Sequence, residues 1–365
     1  MKKVYIAATR QNDGKTIVSL GLLQAFGSIY QKIGYMKPVG QQYKLVDNKK
    51  IDKDAVLMNN IFNFNDDLKS MSPIAIPRGF TEDFILRGST ETIARTITHA
   101  YDTVSQNKDF LLIEGTGHAG VGSVFNMSNS DVAKLLRTKV IIVSLGGVGR
   151  PIDEIMLNKA KFDQDGIEVL GVIINKVLPE KYEKINKLVR KSLSKKGIKV
   201  LGVIPHNDVL SNPTVAELFE DITGEIISDN TGFDNIVSNF VIGDMPHNAM
   251  DYFNNNTLLI IPGSREKLIL AALSEYILEK KKTPKLSAII FTCNACPHES
   301  IMKLLAKTGI PLIAVKEDSF SIASKINHMI FKLRSEDTKK IAKVKTLIKK
   351  YVAIDDIAEL LTSNN

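Results

Sequence analysis

Short runs of Val, Ile and Leu, separated by stretches with helical periodicity, are the feature that most constrains how this chain can fold. In the first 210 residues these runs are "KVYIAA", "IGYMKPV", "DFLLIEG", "KVIIVSL", "VLGVIINKV" and "KVLGVIPH". They do not alternate between apolar and polar residues, which is typical of parallel strands buried on both faces. Amphipathic stretches such as "KTIVSLGLLQAFGSIY" lie between them. The pattern predicts a doubly wound, mostly parallel α/β domain over residues 1–210.

A polar stretch interrupts this pattern before the strand–helix alternation resumes. Residues 211–235 include "SDNTGFDN", so we expect a linker there. Three strand–turn–helix units follow, beginning at "TLLIIPGS", "LSAIIFTC" and "IPLIAVKE". They predict a second, smaller α/β domain over residues 236–340, followed by a helical tail over residues 341–365.

Composition narrows the class of protein. The net charge is +8, shared between the parts before and after residue 235. No aromatic-rich basic motif accompanies "DTKKIAKVKTLIKKY" or the run Lys280 to Lys282, which favours solvated helix faces over a nucleic-acid surface. No apolar stretch reaches the ~18 residues of a membrane span. Two cysteines do not make a disulfide framework. We expect a cytoplasmic protein that binds neither nucleic acid nor a membrane.

The stretch "AATRQNDGKT" ends like a phosphate-binding loop, with Gly14-Lys15-Thr16 between a predicted strand and a predicted helix. The pattern GxxxxGKT usually begins with a glycine, but Thr9 or Ala8 stands in that place, depending on the loop length. Backbone N–H groups in this context bind phosphates. Lys15 would neutralise the β- and γ-phosphates, and Thr16 would offer a hydroxyl to Mg²⁺. The alternative is an ordinary helix start that ends in GKT by chance.

Three charged residues follow neighbouring predicted strands. Glu114 ends "DFLLIEG", Lys37 ends "GYMKPVG", and Asp54 lies in "IDKDAV". A site for Mg²⁺ and a nucleotide needs carboxylates at the C-terminal ends of strands, and an ammonium there stabilises a transferring phosphoryl group. The alternatives are a helix-capping Asp54, a strand-end charge at Glu114 and a solvated Lys37.

Two further segments have both a functional and a structural interpretation. The glycine-rich stretch after Glu114 contains His118, which is either a donor to a phosphate or carboxylate or a solvated loop residue. Arg150, before Pro151, forms either an anion contact or a capped helix start with Asp153.

The second domain offers one candidate anion site and one cysteine pair. Gly263-Ser264-Arg265 lies where a strand ends and a helix begins, so it either holds an anion or caps the helix through Ser264. Cys293 and Cys296 lie in "CNACPH", which suggests a metal site or a redox-active CxxC. A tetrahedral metal site needs four ligands, and an ordinary turn at the end of a strand is favoured over both.

The first domain resembles the dethiobiotin synthetase-like P-loop enzymes, because "ATRQNDGKT", "GYMKPVG", "DKDA", "LLIEGTG", "GVIINKV" and "LGVIPH" occur in that family's order. The family includes cobyrinic acid a,c-diamide synthetases and the N-terminal domain of long phosphate acetyltransferases. In its loop the first glycine matches Ala8. The resemblance implies ATP and Mg²⁺ as cofactors. It implies nucleotide binding by Asn12, Asp13, Gly14, Lys15, Thr16, Ile17 and Asn175, the last at the adenine edge. It implies Mg²⁺ binding by Thr16, Asp54 and Glu114, with Lys37 facing a substrate carboxylate or carbamate.

The second domain resembles the DRTGG domain that accompanies the first in phosphate acetyltransferases and stand-alone relatives. The matching stretches are "VIGDMPHNAMDYF", "LIIPGSREKLILAALSE", "IIFTCNACPHESI" and "GIPLIAVKEDSFSIASKI". The typical GDR turn reads Gly263-Ser264-Arg265, and the typical TGG reads Thr292-Cys293-Asn294.

Together these features favour a regulatory or sensor protein that binds ATP and Mg²⁺, with a protein partner. The alternative is an ATP-dependent C–N ligase that activates a small carboxylate or carbamate, with Lys15 and Lys37 as catalytic residues. A slow ATPase activity fits either function. Acetyl transfer is not expected, because no acyltransferase domain follows the second module. The resemblance also implies a homodimer.

Overall fold

The structure is a computed structural model that describes residues 1–229, 231–243, 255–277, 286–329 and 333–363. It divides into a first unit, Met1–Asn207 with Leu333–Asn365, and a second unit, Asp208–Lys332. The run Lys280 to Lys282 and residues 244–253 of "VIGDMPHNAMDYF" lie outside the described residues. No helix in the described ranges is long and apolar enough to cross a membrane.

Strands and helices alternate along the chain as the sequence predicts. The strands are β1 (Lys2–Ala8), β2 (Ile33–Met36), β3 (Val39–Gly40), β4 (Tyr43–Val46), β5 (Lys49–Asp52), β6 (Ile74–Ala75), β7 (Phe110–Glu114), β8 (Val140–Leu145), β9 (Val169–Val177), β10 (Val200–Pro205), β11 (Gly224–Ile226), β12 (Asn239–Ile242), β13 (Thr257–Pro262), β14 (Leu286–Thr292) and β15 (Leu312–Val315). The helices are α1 (Lys15–Phe26), α2 (Lys53–Phe62), α3 (Leu68–Met71), α4 (Phe80–Arg87), α5 (Thr90–Ser105), α6 (Asn129–Leu135), α7 (Arg150–Gln164), α8 (Tyr182–Ser194), α9 (Asp208–Ser211), α10 (Val215–Asp221), α11 (Glu266–Ile277), α12 (Glu299–Ala306), α13 (Ser319–His328), α14 (Thr338–Tyr351) and α15 (Ile354–Thr362).

A six-stranded sheet in the order β10-β9-β8-β1-β7-β2 forms the centre of the first unit. All its neighbouring strands are parallel. The central strands are buried along nearly their whole length, which explains why their sequences are continuously apolar. Because parallel strands end at the same edge, this topology brings the ends of β1, β2 and β7 together. The predicted α/β fold class is therefore confirmed.

A small hairpin between β2 and α2 was not predicted from the sequence. Strands β4 and β5 pair in antiparallel fashion, and Asp47 and Asn48 between them have φ values of 48° and 60°. Two consecutive turn residues with positive φ are typical of a tight hairpin, and Asp and Asn tolerate that conformation. The hairpin leads directly into Asp52, the N-cap of α2.

The C-terminal helices pack within the first unit. Helix α14 packs on α1, where a Cβ at Gly21 would overlap Cγ1 of Ile348 and lie 2.7 Å from its Cβ. Ala353 donates its N–H to the carbonyl of Leu201 in β10, at 2.8 Å. The helical tail expected after residue 340 is thus an integral layer of the first unit.

The second unit contains a five-stranded sheet in the order β11-β15-β14-β13-β12. Its strands are parallel except β11, which pairs in antiparallel fashion with β15. Here the structure differs from the sequence expectation, because residues 211–235 are not simply a linker: they contain α10 and β11. Thr214 caps α10 by accepting from the backbone N–H of Glu217, and the side chain of Glu217 reaches back to the backbone N–H of Thr214.

The contact between α1 and α14 gives a test of the fold. Gly21→Ala should lower the free energy of unfolding by about 1–3 kcal/mol, because the new methyl group overlaps Ile348. In an uncrowded helix the same change would stabilise by about 0.5–1 kcal/mol. Urea denaturation followed by circular dichroism measures the difference. Lys345→Ala, at an exposed position of α14, is the control and should change little; a stabilised Gly21→Ala would show that α14 does not pack here.

Candidate functional site

The loop between β1 and α1 has the backbone of a phosphate-binding loop despite its missing first glycine. Ala8 is still part of β1, paired with Val143, and is not among the residues with positive φ. Alanine therefore causes no backbone strain at this position. Positive φ occurs later, at Asn12 (67°) and Gly14 (95°). A Cβ at Gly14 would overlap Nδ2 of Asn175, so this glycine is required both by conformation and by space.

Side chains of the loop and of β9 hold its shape. The buried carboxylate of Asp13 accepts from Oγ1 of Thr9 at 2.6 Å and from the backbone N–H of Arg10 at 2.8 Å. Asn175 donates from Nδ2 to the carbonyl of Asp13 at 2.9 Å. Burial raises the pKa of Asp13, partly opposed by its hydrogen bond from Thr9. Contacts within the loop and with Asn175 of β9 therefore hold its conformation.

A buried cluster joins the loop to the ends of β2 and β7. Nζ of Lys37 lies 2.6 Å from Oδ2 of Asp54 and 2.9 Å from Oε1 of Glu114. Thr16 donates from Oγ1 to the same Oε1 at 3.0 Å, and Tyr35 donates to Oε2 at 3.2 Å. The predicted residues Thr16, Lys37, Asp54 and Glu114 are thus brought together.

The charges of this cluster stabilise each other. Burial alone would lower the pKa of Lys37, but the carboxylates of Asp54 and Glu114 outweigh it and hold the pKa well above its usual value. Burial raises the pKa of Tyr35, and Glu114 adds to the increase. Lys37 therefore remains an ammonium, and Tyr35 remains a neutral donor.

Lys15 is buried beside this cluster, with 7% of its surface exposed. Its Nζ donates to the carbonyl of Gly117 at 3.3 Å. Burial, together with the nearby charge of Lys37, lowers the pKa of Lys15 to about 8. A neighbouring polyanion would favour the ammonium form again.

Asn129 organises the glycine-rich segment after Glu114, and the sequence analysis missed it. Its Oδ1 accepts from the hydroxyl of Tyr5 at 2.8 Å and from the N–H of Thr116 at 2.9 Å. Its Nδ2 donates to the carbonyls of Thr116 and His118 at 2.7 and 2.6 Å. The amide group thus makes four hydrogen bonds. No local sequence pattern identifies Asn129, because its partners lie on β1 and in the glycine-rich segment after Glu114.

The sequence analysis also named His118, Arg150 and Asp153 as candidate residues of the first unit. His118 is exposed, and its Nδ1 accepts from the N–H of Gly120 at 3.2 Å. Arg150 donates to Glu154 at 2.8 Å, and Arg10 binds the same carboxylate through two nitrogens. Asp153 lies in the first turn of α7 but makes no cap. A role for His118 or Arg150 in anion binding remains a prediction.

In the second unit, Gly263 is closely packed, whereas Ser264 and Arg265 are exposed. A Cβ at Gly263 would overlap the carbonyl oxygen of Ala295. Anion binding at this turn remains a prediction.

The turn after β14 contains the two positions that are glycine in the typical TGG sequence of the DRTGG domain, and its backbone explains that preference. Cys293 and Asn294, which occupy those positions, both have positive φ, at 59° and 50°, a conformation that favours glycine.

Cys293 and Cys296 are both free and exposed. The described residues contain no group of three His, Cys, Asp or Glu that could hold a metal.

The residues of the first unit fit a magnesium ion that a nucleotide shares. Thr16, Asp54 and Glu114 offer hard oxygen ligands, which Mg²⁺ prefers. Two carboxylates do not make a complete cage, but Mg²⁺ is usually bound by one or two carboxylates plus waters and phosphates.

Comparisons with known proteins identify related families for both parts of the chain. A family model described as an AAA domain matches residues 2–214, and one described as a DRTGG domain matches residues 217–329. The ATP-dependent dethiobiotin synthetase BioD of Methanocaldococcus jannaschii is 32% identical over 177 residues, which cover 47% of this chain and 78% of BioD. The phosphate acetyltransferase of Nitratidesulfovibrio vulgaris is 24% identical over 368 residues, covering 98% of this chain and 51% of the relative.

Among solved structures, the septum site-determining protein MinD of Pyrococcus horikoshii OT3, complexed with Mg-ADP, is similar to part of this chain. It is 16% identical, with a TM-score of 0.36, and covers 57% of this chain and 83% of MinD. The fold and site define a P-loop protein of the α/β class. The chain belongs to the dethiobiotin synthetase-like P-loop family and carries a DRTGG domain after its P-loop domain. It spans about half the length of the phosphate acetyltransferases that it matches.

The buried cluster predicts a large effect of neutralising Lys37. Lys37→Met should destabilise the first unit by about 3–5 kcal/mol at pH 7, because Asp54 and Glu114 would keep buried charges without their counter-ion. Hydrogen exchange of the β7 amides measures this unit separately from the second. Lys187→Met, at an exposed position of α8, is the control. Unchanged protection in Lys37→Met would contradict the role of the ammonium.

Proposed function

We propose that this protein is a regulatory or sensor protein that binds ATP with Mg²⁺ and is related to the N-terminal region of phosphate acetyltransferases. The observation that carries the proposal is the continuous set of contacts from the phosphate-binding loop to the cluster of Lys37, Asp54 and Glu114. In this proposal the loop binds the triphosphate, and Thr16, Asp54 and Glu114 surround Mg²⁺.

The contacts of Lys15 and Thr16 support a switching role. Lys15 donates to the carbonyl of Gly117, and Thr16 donates to Glu114. A bound triphosphate with Mg²⁺ competes for both of these donors and for the carboxylates that hold Lys37. Binding would therefore release Gly117 and rearrange the segment after Glu114, which gives nucleotide binding a way to change the surface of the protein.

The alternative function is an ATP-dependent C–N ligase, and the position of Lys37 is the observation that favours it. An ammonium held beside the metal ligands is suited to stabilise a carboxylate or carbamate and the phosphoryl group transferred to it. An amine would then attack the acyl phosphate, releasing phosphate. The two functions differ in stoichiometry, because a ligase forms ADP only with its acceptor present, whereas a sensor turns ATP over slowly alone.

The proposal also includes a cytoplasmic location, which the composition favours, and a homodimer, which the family resemblance implies. Sedimentation velocity with and without MgATP tests the dimer and shows whether nucleotide changes it.

The first test of the function is calorimetric titration with MgATP. The wild-type protein should bind, and Lys15→Ala should lose about ten- to a hundredfold in affinity, because a charge-assisted hydrogen bond to phosphate is removed. Lys187→Ala, an exposed lysine of α8, should bind like the wild type. Absence of binding to the wild-type protein would reject both proposed functions.

The pKa of Lys15 predicts how binding depends on pH. Since this pKa is lowered to about 8, roughly half of the Lys15 side chains are neutral at pH 8, and the triphosphate favours the charged form. Binding should therefore take up about half a proton at pH 8 and almost none at pH 6.5, and affinity should fall as the pH rises above 8. Calorimetric titrations in buffers with different ionisation enthalpies measure the number of protons taken up on binding. The uptake should vanish in Lys15→Ala; an uptake that persists there belongs to another group.

A further inference from the structure

The hairpin of β4 and β5 does not belong to the central sheet, although it leads directly into the candidate site. Its two strands form a separate sheet of their own. A two-stranded hairpin is marginally stable alone and depends on packing against other elements. Ile51 is buried, whereas Leu45 on the other strand has 66% of its surface exposed. The hairpin is therefore packed through part of its surface and presents the rest to solvent.

The exposed charges of the hairpin are mostly positive. Four lysines are exposed on its strands and at the residue after them, namely Lys44, Lys49, Lys50 and Lys53. One carboxylate, that of Asp47 in the turn, is exposed with them. Lys49 lies 3.8 Å from Asp67 in an exposed pair that contributes little. The other three lysines form no ion pair within the part of the chain that the structure describes. The hairpin therefore carries positive charge that its surroundings do not neutralise.

The apolar side chains among these lysines favour a protein partner over a nucleic acid. Nucleic-acid surfaces combine cations with free aromatic faces on which bases stack. Here the ring of Tyr43 is half-buried, and Nζ of Lys50 lies 5.3 Å from its centroid. Leu45 pairs with Lys50 across the strands and is exposed. An exposed leucine gains nothing from a phosphate backbone, but it fits an apolar side chain in a protein interface. The complementary partner is an acidic polypeptide segment with an apolar residue.

The hairpin is joined to the candidate metal ligand Asp54 by a short set of contacts. Strand β5 ends at Asp52, whose Oδ1 accepts from the backbone N–H of Asp54 at 2.9 Å. The backbone N–H of Lys53 donates to the carbonyl of Gln42, just before β4, at 2.8 Å. Asp54 in turn holds the ammonium of Lys37 at 2.6 Å. A restraint on the hairpin therefore acts on the carboxylate that would bind Mg²⁺.

We propose that the β4–β5 hairpin docks an acidic segment of a protein partner and that this docking strengthens the binding of MgATP. Carboxylates of the segment contact the hairpin lysines, and an apolar side chain covers Leu45. The inference rests on the proposed function, in which Asp54 binds Mg²⁺. A docked segment restrains the hairpin, so less conformational freedom is lost when Asp54 engages the metal. Because such coupling is reciprocal, MgATP strengthens docking by the same factor.

The docking surface is tested with the full-length protein and a fluorescent peptide of glutamates around one leucine. Fluorescence anisotropy should show binding that weakens with added salt, and a peptide with glutamines in place of the glutamates should not bind. Lys44→Glu combined with Lys50→Glu should weaken binding about tenfold or more. Lys184→Glu combined with Lys187→Glu, at exposed positions of α8, makes the same change of net charge and should have little effect. Leu45→Gln should weaken binding about two- to fivefold, because the apolar contact is lost.

The coupling is tested by calorimetric titration with MgATP. A saturating concentration of the glutamate peptide should raise the affinity of the wild-type protein for MgATP about fivefold or more. The variant with Lys44→Glu and Lys50→Glu should bind MgATP like the wild type without the peptide, and the peptide should add nothing. That unchanged affinity also shows that the variant is folded.

The other outcomes overturn the inference in distinguishable ways. If both double variants bind the peptide alike, or the glutamine peptide binds as well as the glutamate peptide, the hairpin is not the docking surface. If the hairpin prefers a single-stranded oligonucleotide or anionic phospholipid vesicles to the peptide, the surface belongs to another class of partner. If the peptide leaves MgATP affinity unchanged or lowers it, the coupling is wrong. If the wild-type protein binds the peptide but not MgATP, the proposed function fails and the coupling with it, whereas docking at the hairpin stands.

Discussion

The ammonium of Lys37, buried between Asp54 and Glu114, is the interaction on which the rest of the site depends. Taking three charged groups out of water costs several kcal/mol for each, and only close geometry repays that cost. The ends of β2 and β7 and the start of α2 must therefore hold fixed distances. Thr16 extends the same set of contacts to the phosphate-binding loop through Glu114. The site is thus part of what holds this edge of the sheet together.

Much of this arrangement could be predicted from the sequence, because the relevant signals are local. The apolar runs identify the parallel strands, and Lys37 and Glu114 were assigned to the candidate site because strand ends share an edge. The GKT ending identified the loop, and the structure explains why Ala8 suffices where a glycine is usual: it still belongs to the strand.

Other parts could not be predicted, because they depend on contacts that no local pattern encodes. Asn129 acts through Tyr5 on β1, which is distant in sequence, and through backbone groups of the glycine-rich segment that precedes its own helix. Nothing in the sequence distinguishes Lys176 from the other lysines, whereas in the structure a bulge in β9 directs its side chain to the phosphate-binding loop. The short strand β11 lies in a polar stretch that resembles a linker, and it is recognisable only from its pairing with β15.

The packing of α14 on Gly21 has a consequence for how the protein is made on the ribosome. The chain completes most of its first unit, then supplies the whole second unit, and only afterwards returns with the helices that cover α1. Until residues 338–362 emerge, the surface of α1 around Gly21 lacks its native cover. A nascent chain in that interval presents a patch that chaperones and aggregating neighbours recognise. Translation speed across the second unit therefore sets how long that patch stays uncovered.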